Sequence, residues 1–184
     1  MTRCRPMKAP TTINRFLAIG LVAACFGCGS VPEVQPTDEA GLDDPLVIAL
    51  LQKDYSSATR LLRGGYPVCG RAVFKQAPAY WAIAEGDVAA LRLLIRFGLD
   101  VNYEWGKGAG NLLTNAVQFG HLDQVRLLVE SGAFLDRDSR YGRSPLYSAV
   151  VYDQEPIEDY LRQRGAQFND WDKEALKVLG LETQ

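Results

Sequence analysis

This chain of 184 residues has one histidine, four cysteines and no apolar stretch long enough to cross a bilayer as a helix. Each shortage excludes a class of function. With His121 alone there is no His–Cys cluster for zinc. A Ser–His–Asp triad would have to use His121, and no Gly-x-Ser-x-Gly elbow accompanies it. Gly106-Lys107-Gly108-Ala109-Gly110 has the look of a phosphate loop but lacks the Gly-x4-Gly-Lys-Ser/Thr spacing. No cofactor, metal site or catalytic residue is therefore expected. A surplus of positive charge is missing too. Residues 1–24 hold Arg3, Arg5, Lys8 and Arg15 and no acid, so the chain without them has 16 basic and 22 acidic residues, a net charge of −6. That disfavours a nucleic-acid partner and a polybasic membrane clamp.

The segment that does stand out runs from Gly120 to Asp136, with Leu122, Val125, Leu128 and Val129 at helical spacing and Gly132 as the stop. A helix this short cannot bury its stripe alone, and the phrase recurs. It reads as Gly86-Asp87 through Leu93-Leu94 to Gly98, as Lys53-Asp54 through Leu61-Leu62 to Gly65, and as Asp153-Gln154 through Tyr160-Leu161 to Gly165. The closing glycines are 33, 34 and 33 residues apart, and alanines at 49, 82, 116 and 149 keep the same spacing.

This period resembles the ankyrin repeat. The family's Thr-Pro-Leu-His-x-Ala turn corresponds here to Ser144-Pro145-Leu146-Tyr147-Ser148-Ala149, with weaker forms beginning at Asp44, Ala77 and Asn111. The resemblance implies an all-α helical repeat solenoid. It places repeats at 44–65, 66–98, 99–132 and 133–165 within a 44–170 repeat region, followed by a capping helix and tail at 171–184. Trp171, Leu176 and Leu179 are expected to shield the last repeat, and Gly180 to end the helix. Asp44-Pro45 is a good helix start. Val47, Ile48, Leu50 and Leu51 are apolar for a terminal repeat, so part of the preceding segment is expected to cover them. The family favours His where His121 stands, which makes it a polar helix starter. Asp100, Asn102, Asp136 and Asn169 fit the turn after each closing glycine.

Residues 1–24 read as a signal peptide: a basic start, then the apolar core Phe16 to Ala24. Met7 is a second possible start. Val22-Ala23-Ala24-Cys25 resembles a bacterial lipobox, which implies acylation of Cys25, with Cys28 as the alternative. No Asp follows either cysteine, so the periplasmic face of the outer membrane is expected. Residues 25–43 form the lipidated N-terminus and a Pro- and acid-rich linker. At roughly 3 Å per residue, Gly29 to Asp43 spans about 45 Å.

The ankyrin resemblance implies a concave binding face made of finger tips and the exposed side of each first helix. Phe74, Trp105, Lys107, Phe119, Arg140, Tyr141, Arg143 and Tyr152 fall there, with Val73, Gln76, Ala84, Glu85, Tyr103, Gln118 and Val151 beside them. Aromatics and arginines are what binding hot spots favour. The function expected is a membrane-anchored periplasmic module that binds another protein, as a monomer. The alternatives are an immunity-type inhibitor of an effector acting in the periplasm, or an enzyme using Asp100, Asp136 and Asp138.

Overall fold

The computed structural model describes residues 44–69, 77–103, 111–136 and 143–181. Among them the regular structure is helical. The helices are α1 (Pro45–Leu51), α2 (Tyr55–Arg63), α3 (Ala77–Ala84), α4 (Val88–Arg96), α5 (Leu112–Gln118), α6 (Leu122–Glu130), α7 (Pro145–Val151), α8 (Glu155–Gln163) and α9 (Asp170–Leu179). The first eight form four antiparallel pairs. The first helices of the pairs, α1, α3, α5 and α7, stack on one another, and so do the second helices, α2, α4, α6 and α8. We call these the inner and outer rows.

Each pair is closed by the same local bonds. The alanine near the end of the inner helix offers its carbonyl to the residue that starts the outer helix: Asp54 to Ala49, Asp87 to Ala82, His121 to Ala116 and Gln154 to Ala149, at 2.8–3.0 Å. These alanines are buried in the core. At the far end each outer helix closes with paired bonds across a left-handed glycine. In the third pair Gly132 N–H donates to Val129 C=O and Ala133 N–H to Leu128 C=O, with Gly132 at φ +89°. This is the glycine-dependent helix stop, and it repeats at Gly65, Gly98 and Gly165.

Three inner helices begin on side-chain caps. Asp44, Asn111 and Ser144 accept from backbone N–H groups of the first turn, and Pro45 and Pro145 fill positions where no N–H is needed. The core lies between the rows. Leu46, Ile83, Leu91, Leu94, Leu112, Leu113, Leu128, Leu146, Ile157 and Leu161 are fully enclosed.

The outer helices start in two different ways. Asp54 and Asp87 cap α2 and α4 through their carboxylates. His121 and Gln154 make no cap bond. Their side chains instead lie over the left-handed glycine of the preceding pair. A Cβ on Gly86 would stand 3.1 Å from His121 Cε1, and one on Gly120 would stand 2.9 Å from Gln154 Oε1. His121 thus stands at the N-cap of α6, the starter position the sequence suggested, but without a cap bond; its ring serves as a spacer between pairs. Lys53 and Asp153 take the same positive φ without glycine. The short Asp87 follows the first, and no further helix pair of this kind follows the second.

At the C-terminal end, Asn169 and Asp172 form a reciprocal capping box for α9. Asp172 is fully buried, and its Oδ1 also accepts the Ser144 N–H at 3.2 Å, tying α9 to the start of α7. Leu176 is buried and Trp171 meets Tyr147 edge-to-face at 5.3 Å. Leu179 points to solvent, which corrects the expectation that it shields the last pair. It shares a face with Leu176, three residues back, but it is the last residue of α9, and Gly180 ends the helix directly after it. Gly180 ends the helix at φ +68°. The signal-peptide and linker readings, and the fingers at 70–76, 104–110 and 137–142, lie outside the described residues.

Candidate functional site

Exposed large apolar side chains are unevenly placed among the described residues. Ile48, Leu51, Phe119, Val151 and Tyr152 belong to the inner helices or their C-caps. Trp171, Val178, Leu179 and Leu181 lie on or just after α9, and Phe134 follows α6. The outer helices present none. A soluble stack has no internal reason for that bias, since both rows bury a face against the same core. Exposed apolar clusters of this kind are what partner surfaces provide.

The repeat register orders the inner-row residues. Gln52, Glu85, Phe119 and Tyr152 occupy one equivalent position, and Leu51, Ala84, Gln118 and Val151 the position before it. Neighbouring helices pack about 10 Å apart, so each set forms a row crossing all four pairs. The row turns from polar and acidic at one end to aromatic at the other. Phe119 is 44% exposed and Tyr152 also 44%, so both rings are available although each residue caps a helix. One face of Phe119 is used: it stacks on the His121 imidazole at 5.9 Å and 17°. That contact fixes the ring's position without hiding it.

Of the eight residues placed first on that face from sequence, Phe119, Arg143 and Tyr152 are described, and all three are exposed. Tyr103 is different, since it packs partly buried against the core. Phe74, Trp105, Lys107, Arg140 and Tyr141 lie outside the described residues, as do Cys25 and Cys28. The segment expected to cover Ile48 and Leu51 lies outside the described residues; both side chains are exposed, and Leu51 is equivalent in register to Val151. Sequence reasoning missed Trp81. It is half-buried, edge-on to Tyr80 at 5.7 Å, and equivalent to Ile48.

Of the residues considered for chemistry, His121 and Asp100 have structural tasks, and Asp138 lies outside the described residues. His121 Nε2 is buried with no hydrogen-bond partner, so the ring is not placed to exchange protons with a substrate. Asp100 Oδ1 accepts the Asn102 N–H at 3.0 Å. Asn102 then spans two pairs, donating to Gly132 C=O at 2.9 Å and accepting the Phe134 N–H at 2.8 Å. Burial pushes the Tyr147 phenol above its ordinary value; the Arg143 charge pulls the other way and the Asp172 charge adds to the rise. Among the described residues no group of three His, Cys, Asp or Glu side chains is disposed to hold a metal ion.

Stacked helix pairs with a one-sided exposed row define a helical repeat solenoid built to bind another protein. The family description "Ankyrin repeats (3 copies)" matches residues 46–138 and again 80–172, and the chain belongs to the ankyrin repeat family. It is also similar to cortactin-binding protein 2 of Rattus norvegicus, with 30% identity over 142 residues. That alignment covers 76% of this chain and only 8% of the relative. The chain is thus a protein–protein interaction module in fold, and the relative's remaining length has no counterpart in the match.

Proposed function

We propose that this protein is a lipid-anchored periplasmic adaptor that captures a partner protein on the inner-helix row. The observation that carries the reading is the one-sided placement of Ile48, Leu51, Phe119, Val151 and Tyr152. Phe119 and Tyr152 are its anchors. Each is a large ring in a position set by helix geometry, so little conformational freedom is lost on binding. Arg143 lies exposed before α7 and offers a charge-assisted contact to a carboxylate on the partner. Trp105, Lys107, Arg140, Tyr141 and Phe74 extend the surface in this proposal by their place in the fingers. The anchor reading is supported by Val22-Ala23-Ala24-Cys25 after an apolar core. Two or more acyl chains at Cys25 would hold the module on the membrane where a single chain would not.

The test is partner capture from detergent-solubilised cell envelopes. Phe119→Ala with Tyr152→Ala should lose the partner and keep the wild-type circular dichroism spectrum. Arg126→Ala, on the exposed side of outer helix α6, should capture it normally. Normal capture by the double variant, or loss of helicity along with capture, would show that the row is not the binding face.

A further inference from the structure

Charge is segregated along the outer row. Helices α2 and α4 carry Arg60, Arg63, Arg92 and Arg96 and no acidic residue within their bounds. Helices α6 and α8 carry Asp123, Glu130, Glu155, Glu158 and Asp159. Ion pairs follow that division. Arg126–Asp123, Arg162–Glu158 and Arg164–Glu130 lie on or beside α6 and α8. Among the described residues no arginine of α2 or α4 has such a partner. The carboxylates that start these two helices make local bonds: Asp54 accepts the Ser57 N–H and also feels the Arg60 charge, and Asp87 accepts the Ala90 N–H and the Tyr55 hydroxyl.

The four arginines are exposed. Arg63 and Arg96 occupy equivalent register positions on helices that touch, and Arg92 stands one turn before Arg96. Arg92 and Arg96 also flank a shallow groove of about 500 Å³ whose other walls are Tyr55, Val88, Ala89 and Leu93. An apolar furrow rimmed by exposed guanidinium groups suits a ligand that is anionic at its surface and apolar beneath.

We propose that this face, formed by Arg63, Arg92, Arg96 and the groove that Arg92 and Arg96 flank, docks on an anionic phospholipid bilayer. The docking would lay the outer helices of the first two repeats against the membrane and turn the Phe119–Tyr152 row away from it, toward a partner. It rests on the anchored reading in one respect, because the lipid on Cys25 keeps the face near the surface. That is also what favours a bilayer over an acidic protein. Asp44 is 19 residues from Cys25, and so many residues reach no farther than about 65 Å. A short link of this kind gives an effective concentration near millimolar, so a weak intrinsic affinity suffices. Each arginine at an anionic surface strengthens binding about fivefold. The net charge of −6, which argued against a membrane clamp, is a sum over the whole chain. A charged surface senses groups within a Debye length of about 8 Å, less than the spacing of two packed helices. The acids of α6 and α8 are therefore largely screened from this face.

The processed chain from residue 25, carrying Cys25→Ser and Cys28→Ser, keeps every helix described above and has no lipid. It should co-sediment with phosphatidylglycerol-rich vesicles at low salt, and not with pure phosphatidylcholine vesicles or at high salt. Arg92→Ala with Arg96→Ala should weaken that binding about 25-fold, whereas Arg162→Ala with Arg164→Ala should leave it unchanged. Absence of binding, equal binding to both vesicle types, or binding that survives the Arg92/Arg96 change would overturn the proposal. So would capture by acidic polypeptide without capture by vesicles. Labelled palmitate incorporation into the wild-type chain against Cys25→Ser tests the anchor separately. Loss of labelling with no vesicle binding removes the docking face and keeps the anchor; vesicle binding without labelling does the reverse.

Discussion

Gly86 meets two constraints at once, and its substitution separates them. It ends the α3 turn at φ +65°, where an L-residue is strained, and its missing side chain leaves room for the His121 ring of the next repeat. Gly86→Ala imposes both penalties. The left-handed conformation costs about 1 kcal/mol for alanine after the gain from a stiffer unfolded chain. The new methyl group would lie 3.1–3.4 Å from Cε1, Nε2 and Nδ1 of His121, so the ring must move. Phe119 stacks on that ring and resists the shift, which adds about 1 kcal/mol by analogy with overpacked cores. Together these amount to about 2 kcal/mol, or a fall in Tm of about 6 °C for a chain of this size. Gly98→Ala is the reference: φ is +91° and nothing lies within 4 Å of its added Cβ, so only the backbone part remains. The decisive measurement is a double-mutant cycle by urea unfolding, accepted where the m-value stays constant. In a His121→Ala background, Gly86→Ala should cost about half as much as in the wild type. An equal cost in both backgrounds would mean that the ring is no obstacle and that the inter-repeat contact is misread.

Two further predictions concern the contacts between repeats. Gln124 is fully buried; its Nε2 donates to Ala82 C=O at 2.7 Å, while Oε1 has no partner. Ala82 C=O also accepts the Asp87 N–H, so Gln124→Met should be neutral or stabilising by up to about 1 kcal/mol and Gln124→Ala destabilising by about 2, read from the urea midpoint. A costly Gln124→Met would show that the side-chain bond outweighs the orphaned oxygen. The second prediction is a pH dependence. The Asp87 carboxylate accepts the Tyr55 hydroxyl at 2.7 Å, and this bond, followed by burial and the negative charge, holds the phenol above its ordinary value of 10.0. The unfolded phenol ionises first, so the stability from this bond is complete below pH 10 and is lost as pH rises through the folded value. Tyr55→Phe should be less stable at neutral pH and show a shallower alkaline decline; an unchanged decline would exclude Tyr55 as its source.

What the sequence determined is the part of the fold made by bonds within about five residues of one another. The closing glycines, the alanines at 49, 82, 116 and 149, and the caps at Asp44, Ser144 and Asn169 all act on neighbours in the chain. Such signals recur with the period, which is why the repeats could be read from spacing; the turn from Ser144 to Ala149 added the resemblance to the family. Burial of the helical stripes also follows, since a repeat can bury its apolar face only against the next. Tertiary structure decided what depends on which repeat meets which. Identical register positions gave Asp87 a cap bond and gave His121 and Gln154 a place over glycine, because the residue in the preceding turn differs: Lys53, Gly86 and Gly120. Gln124 reaching Ala82, and Asp172 reaching Ser144, join residues 42 and 28 positions apart with no local pattern to mark them. The exposure of Ile48 and Leu51 and the separation of charge along the outer row are likewise properties of stacking. A net charge or an apolar count sums over the chain, whereas a partner meets one face.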